Sequence, residues 1–122
     1  MSSKCGIHCD EHCRRCEVIY NVGLSFYKDM QLLKAYNYFE RSSNLPLSTY
    51  YMGIINYRGC RTIDGTISIE INYKLAFKCF KEVSEKGEPQ SQYMLGKMYN
   101  NGEGTKRDFK KSVKWYNKAA TQ

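Results

Sequence analysis

The chain has 122 residues with 19 Lys and Arg against 12 Asp and Glu, a net charge of +7, so it makes one small basic domain. Met1-Ser2-Ser3-Lys4 lacks an apolar leader, and no run of about 18 apolar residues is available for a membrane span. The default expectation is a reducing intracellular setting, with a cytoplasmic location.

The first predicted element is a Cys/His-rich segment over residues 1–16, holding Cys5, His8, Cys9, His12, Cys13 and Cys16. At about 100° per residue a helix puts the four cysteines on one side, and the stripe continues through Ile19, Tyr20, Gly23, Phe26 and Tyr27. Cysteine behaves there as a small hydrophobe, so the segment reads as a helical packing face that leads into or caps the residues from 17 onward. The alternative is a structural zinc site, for which six ligand candidates are at hand. A continuous helix would string the four thiols over about 16 Å, so metal binding requires the helix to break. A disulfide reading ranks below both in a reducing setting.

Residues 17–44 form the first of three similar units. Val18, Val22-Gly23 and Phe26 precede a short loop, and Lys34-Ala35, Tyr38-Phe39 and Ser42-Ser43 come after it. The second unit, 45–86, gives Ser48, Met52-Gly53 and Gly59, then Leu75-Ala76, Cys79-Phe80 and Val83-Ser84, with Asn56 where an aromatic is expected. Its loop is longer: between Cys60 and Glu70, Asp64-Gly65 sits among β-branched residues, which allows either a tiny hairpin or a mobile insert. The third unit, 87–122, is the most complete. Ser91, Leu95-Gly96, Tyr99 and Gly102-Glu103-Gly104 are followed by Asp108, Lys111-Ser112, Trp115-Tyr116 and Ala119-Ala120.

Each unit reads as two antiparallel helices. A helical glycine costs about 1 kcal/mol relative to alanine, so Gly23, Gly53 and Gly96 at equivalent places indicate close approach to the second helices, opposite Ala35, Ala76 and Ser112. Gly102 and Gly104 suit a left-handed helix end, and Asp108 suits the first turn of the next helix.

On these residues the segment from Ser91 to Gln122 closely resembles a Sel-1-like repeat, a relative of the tetratricopeptide repeats, and the partial matches upstream extend the resemblance over residues 17–122. The resemblance implies an all-α, right-handed α-solenoid of about three repeats, with no shared catalytic site and no cofactor. Adaptor and scaffold roles are known in the family, in signalling, in protein quality control and in contacts between pathogens and hosts. A secreted, Cys-rich branch staples repeats with disulfides, but the corresponding positions here hold Ser43 with Ser48 and Ser84 with Ser91. Neither that stapling nor that branch's penicillin-binding role is expected.

The expected function is therefore non-enzymatic protein or peptide binding on the concave face. If first helices line that face as in related repeats, the inward positions are Leu24, Tyr27 and Lys28, then Ile54, Tyr57 and Arg58, then Lys97, Asn100 and Asn101. Exposed apolar groups flanked by cations would suit an apolar anchor with acidic flanks. Tyr20, Tyr50 and Tyr93 also align, at a position that packs in the family, and are expected in the core. Cys79 reads as core and Cys60 as a surface thiol. No further unit follows Gln122, so the last helix either caps the stack with Lys110, Lys114, Asn117 and Lys118 or leaves an end open to self-association.

Other functions fit less well. The basic stretch Lys106, Arg107, Lys110, Lys111, Lys114 and Lys118 lies mainly on a solvent-facing side and has no accompanying RNA-binding aromatic motif or zinc finger, so nucleic-acid binding is not expected. The stretch reads first as a solvated helix face, with attraction to acidic proteins or an anionic membrane surface as the next alternative. A Cys9–His12 or Cys13–His12 pair lacks an orienting group and an oxyanion donor set, and Gly102-Glu103-Gly104 lacks the strand and Lys-Ser sequel of a phosphate loop.

Overall fold

Capping residues set the helix starts. Pro46 and Pro89 open their helices at the first turn, where a missing N–H costs nothing. Asn72, Glu88 and Asp108 accept from the backbone N–H of Leu75, Ser91 and Lys111 at 3.0, 2.6 and 3.1 Å. Asp108 is thus an N-cap, one place before the expected first turn. The computed structural model describes residues 13–61, 64–65 and 67–122. In them α1 spans Arg14–Lys28, α2 Leu32–Arg41, α3 Pro46–Arg58, α4 Tyr73–Glu85, α5 Pro89–Asn101 and α6 Phe109–Ala120.

The helices pair as α1–α2, α3–α4 and α5–α6, and each pair packs on the next through α2–α3 and α4–α5. The expected all-α repeat solenoid is what forms. Between α3 and α4, β1 (Cys60–Arg61) and β2 (Ile67–Ile69) make a two-stranded antiparallel hairpin. Of the two readings left open for that insert, the hairpin is the one observed. Its base is held by the Asn72 N–H donating to the Asn56 carbonyl at 2.7 Å.

The helical glycines let an aromatic ring into each pair. A methyl on Gly53 would lie 2.8 Å from Phe80 Cε1, one on Gly96 2.9 Å from Tyr116 Cδ1, and one on Gly23 2.9 Å from Tyr38 Cβ and 3.1 Å from Phe39 Cε1. The opposing surface is therefore an aromatic ring more than the small residue expected there. In the third pair the small residue contributes as well, since Ser112 Oγ donates to the Gly96 carbonyl at 2.8 Å. Tyr20–Phe39, Tyr50–Phe80 and Tyr93–Tyr116 repeat one ring pair at 5.9, 6.0 and 5.5 Å.

Two clusters fill the seams. Ala35, Phe39 and Ile55 join the first unit to the second, and Ile54, Ala76, Phe80, Met94 and Met98 join the second to the third. Cys79 is buried as expected. The turn after α5 ends on Gly102, left-handed at φ 69°, and Gly104, at φ 72°, is pressed against the Tyr73 carbonyl of the second unit.

Two expectations change. Helix α1 begins at Arg14 with Cys13 as its extended N-cap, so the helix expected to run through Cys13 starts one residue after it. Cys5, His8, Cys9 and His12 lie outside the described residues. At the first seam it is Ser42, not Ser43, whose hydroxyl meets Ser48, at 2.8 Å, while the Ser43 carbonyl accepts from Thr49.

Candidate interaction groove

A groove of about 530 Å³ opens where the first helices of the second and third units diverge. Tyr50, Ile54 and Arg58 lie at i, i+4 and i+8 on α3, hence on one face, and form one wall. Pro89, Gln90, Tyr93 and Met94 of α5 supply the floor, and Tyr116, Ala119 and Ala120 of α6 the far side. The lining is aliphatic and aromatic apart from Gln90, the tyrosine hydroxyls and the exposed Arg58 guanidinium. Such a surface has the chemistry to bury an apolar group beside a cation.

A polar cluster adjoins it. Tyr57 Oη donates to both Glu103 carboxylate oxygens, at 2.8 and 2.9 Å, and Lys97 Nζ sits 5.4 Å from the centre of the Tyr57 ring. Burial first, and then the Glu103 hydrogen bond, hold the Tyr57 phenol well above its ordinary pKa. Tyr57 is therefore a neutral donor at any physiological pH. Burial, followed by the charge of Glu88, also raises Tyr50. These groups can position a ligand, and none is poised to exchange a proton near neutrality.

The nine expected contact residues separate into four places. Leu24 and Tyr27 pack into the first seam, with the Tyr27 ring 4.9 Å from that of Tyr51, and Lys28 is exposed at the end of α1. Ile54 and Arg58 share the groove, although Ile54 is only 5% exposed and belongs also to the second seam. Tyr57 and Lys97 meet in the polar cluster. Asn100 and Asn101 lie at the following turn, where Asn101 Nδ2 donates to Glu103 at 3.2 Å and the Asn100 carbonyl accepts from Arg107 Nε at 3.1 Å.

Tyr50, Tyr93 and Tyr116 are groove residues that the repeat alignment assigns to packing. Tyr20 and Tyr50 are half-buried, but Tyr93 is 54% exposed, because no described helix covers the third unit as α3 and α5 cover the first two. Among the described residues no group of three or more Cys, His, Asp or Glu side chains is arranged to hold a metal. No helix there is long and apolar enough to cross a membrane.

Comparison with known proteins adds the family. The model of the Sel1 repeat matches residues 17–47, 46–88 and 89–122. Among solved structures, the chain is similar to c5321, a protective antigen of uropathogenic Escherichia coli strains displaying an SLR fold, with a TM-score of 0.78 and 22% identity. That match covers 88% of this chain and 23% of the antigen, so the chain spans under a quarter of its length. A Sel1 repeat protein from Oxalobacter formigenes is similar with a TM-score of 0.73 and 21% identity, over 88% of this chain and 80% of that one. No curated protein matches significantly.

Proposed function

Since the chain belongs to the Sel1 repeat family, we propose that it is a non-enzymatic interaction module that holds a protein or peptide segment in the groove between α3, α5 and α6. One observation carries this reading: Tyr50, Ile54 and Arg58 set an aromatic ring, an aliphatic group and a cation along one wall. An extended or helical segment with an aliphatic anchor and a nearby carboxylate has the matching chemistry. The anchor would exclude water from the exposed Tyr93 ring and the half-buried Tyr116, and the carboxylate would pair with Arg58 at the rim. Rim charges tune encounter rate and selectivity more than affinity.

Affinity capture from a native lysate tests the reading, comparing wild type with an Arg58→Glu/Tyr93→Ala variant of unchanged helicity. Partners retained by wild type and lost by the variant support it. An identical partner set on both proteins contradicts it.

A further inference from the structure

The two internal seams share one construction. On α2, Tyr36 Oη accepts from Asn56 Nδ2 at 3.1 Å and Phe39 stacks on Tyr51 at 5.2 Å, both partners belonging to α3. On α4, Phe77 meets Tyr99 of α5 edge-on at 5.4 Å, and Phe80 clusters with Met94 and Met98. The third unit carries Val113 and Tyr116 at the same positions of α6, with Phe109 one turn earlier. At the positions of half-buried Tyr36 and Phe77, Val113 is 56% exposed, and at the position of fully buried Phe39 and Phe80, Tyr116 is only half-buried. The far side of α6 is thus a seam surface with no described element packed on it.

We propose that this face takes an amphipathic helix of a partner protein, with large apolar side chains at i and i+4 and acidic residues along its flank. The proposal rests on the reading of the chain as a protein-interaction module and specifies what one of its surfaces recognises. The internal seams supply the spacing. Tyr51 and Ile55 of α3, and Met94 and Met98 of α5, are four residues apart, and each pair is followed by a side chain that reaches the preceding unit, Asn56 or Tyr99.

Charge supplies the flank. Lys110 and Lys114 are exposed one turn apart beside the Phe109–Val113 stripe, and the Arg107 guanidinium lies 4.6 Å from the Phe109 ring centre. From Phe109 to Gln122 the sequence has no acidic residue, so acidic flanks would meet uncompensated lysines.

A second copy of the chain fits less well. At the positions of Tyr51/Ile55 and Met94/Met98, α1 carries Asn21 and Ser25, both polar and exposed. Two α6 faces brought together would set Lys110 and Lys114 against their own kind.

The probe is a synthetic stapled helix with Met and Ile four residues apart, Tyr after the second, and glutamates on both flanks, titrated into the full chain by fluorescence anisotropy. Wild type binds it, and Val113→Asp, an exposed site checked for intact helicity, weakens binding at least about tenfold, as expected on losing an anchor. Lys110→Glu/Lys114→Glu weakens it comparably, while Arg58→Glu leaves it unchanged, which separates this face from the groove. Equal binding of a helix with scrambled spacing, or no effect of Val113→Asp, overturns the proposal. So does a Val113-dependent dimer that does not bind the helix, which identifies a second copy as occupant. Val113-dependent binding to phosphatidylserine vesicles in place of the helix overturns it in favour of a lipid surface.

Discussion

The Tyr57 hydroxyl donates to both carboxylate oxygens of Glu103, 46 residues away, and so ties the first helix of the second unit to the turn of the third. It joins other hydrogen bonds between side chains of different units, Asn56 to Tyr36 and Ser42 with Ser48, and differs from them in its charged acceptor. A hydrogen bond to a charged acceptor contributes about 1.5–3 kcal/mol when well shielded, and half-burial lowers that. Tyr57→Phe is expected to reduce unfolding free energy in urea by about 1 kcal/mol. With Glu103→Gln it forms a double-mutant cycle whose coupling should be of the same size.

The glycines divide into those that admit a ring and those that admit a turn. Gly53→Ala places a methyl 2.8 Å from Phe80, and overpacking of about 1–3 kcal/mol outweighs the gain of about 1 kcal/mol in helix propensity. Gly104→Ala combines a left-handed backbone with overlap on the Tyr73 carbonyl, neither of which a side-chain shift relieves. Its thermal midpoint is predicted to fall further than that of Gly53→Ala. The reverse order would mean that the turn does not seat on the second unit.

Alkaline pH should loosen the second unit first. Burial, with a smaller contribution from Glu82 against Lys78, pushes the Cys79 thiol from 9.0 up to about 11. The folded pKa is raised, so the stabilisation is intact below pH 9 and is lost as pH rises towards 11. Tyr20, Tyr36, Tyr50 and Tyr51, also raised by burial, add their loss from about pH 10 upward. Thermal melts should therefore be flat to about pH 8.5 and fall beyond it. Cys79→Val should lessen the slope in the lower part of that window.

The serine contact at the first seam has a covalent counterpart. Ser42 and Ser48 are fully buried with hydroxyl oxygens 2.8 Å apart, so Ser42→Cys/Ser48→Cys should oxidise to a disulfide. Closing so short a loop is expected to add about 2–3 kcal/mol. Peptide mapping and a reductant-sensitive rise in the thermal midpoint check it. Ser43→Cys/Ser48→Cys should form the bond poorly.

Much of the architecture was legible because its physical requirements recur. Gly23, Gly53 and Gly96, with the aromatics that enter beside them, mark three helix pairs, and Gly102, Gly104 and Asp108 mark a turn and a cap. The hairpin was ambiguous because β-branched residues around Asp64-Gly65 satisfy an insert or a strand pair equally. The site was less legible for a reason inherent in repeats: alignment shows which positions correspond and not which copies are covered. Leu24 and Tyr27 share a register with Ile54 and Tyr57, and both sets pack into a seam, the first against α3 and the second against α5. Tyr93 shares one with Tyr20 and Tyr50 and lies open. The one-residue slip from Ser43 to Ser42 has another origin: α2 ends at Arg41, and its cap residue Ser42 is the one turned to Ser48.

Photo-crosslinking with benzoylphenylalanine in place of Tyr93, and separately in place of the exposed Asn37 on α2, locates recognition without assuming a partner. Binding in the groove predicts that partners captured by wild type crosslink from position 93 and not from position 37. Crosslinking from 37 with none from 93 would contradict it and place recognition on the second-helix side of the array.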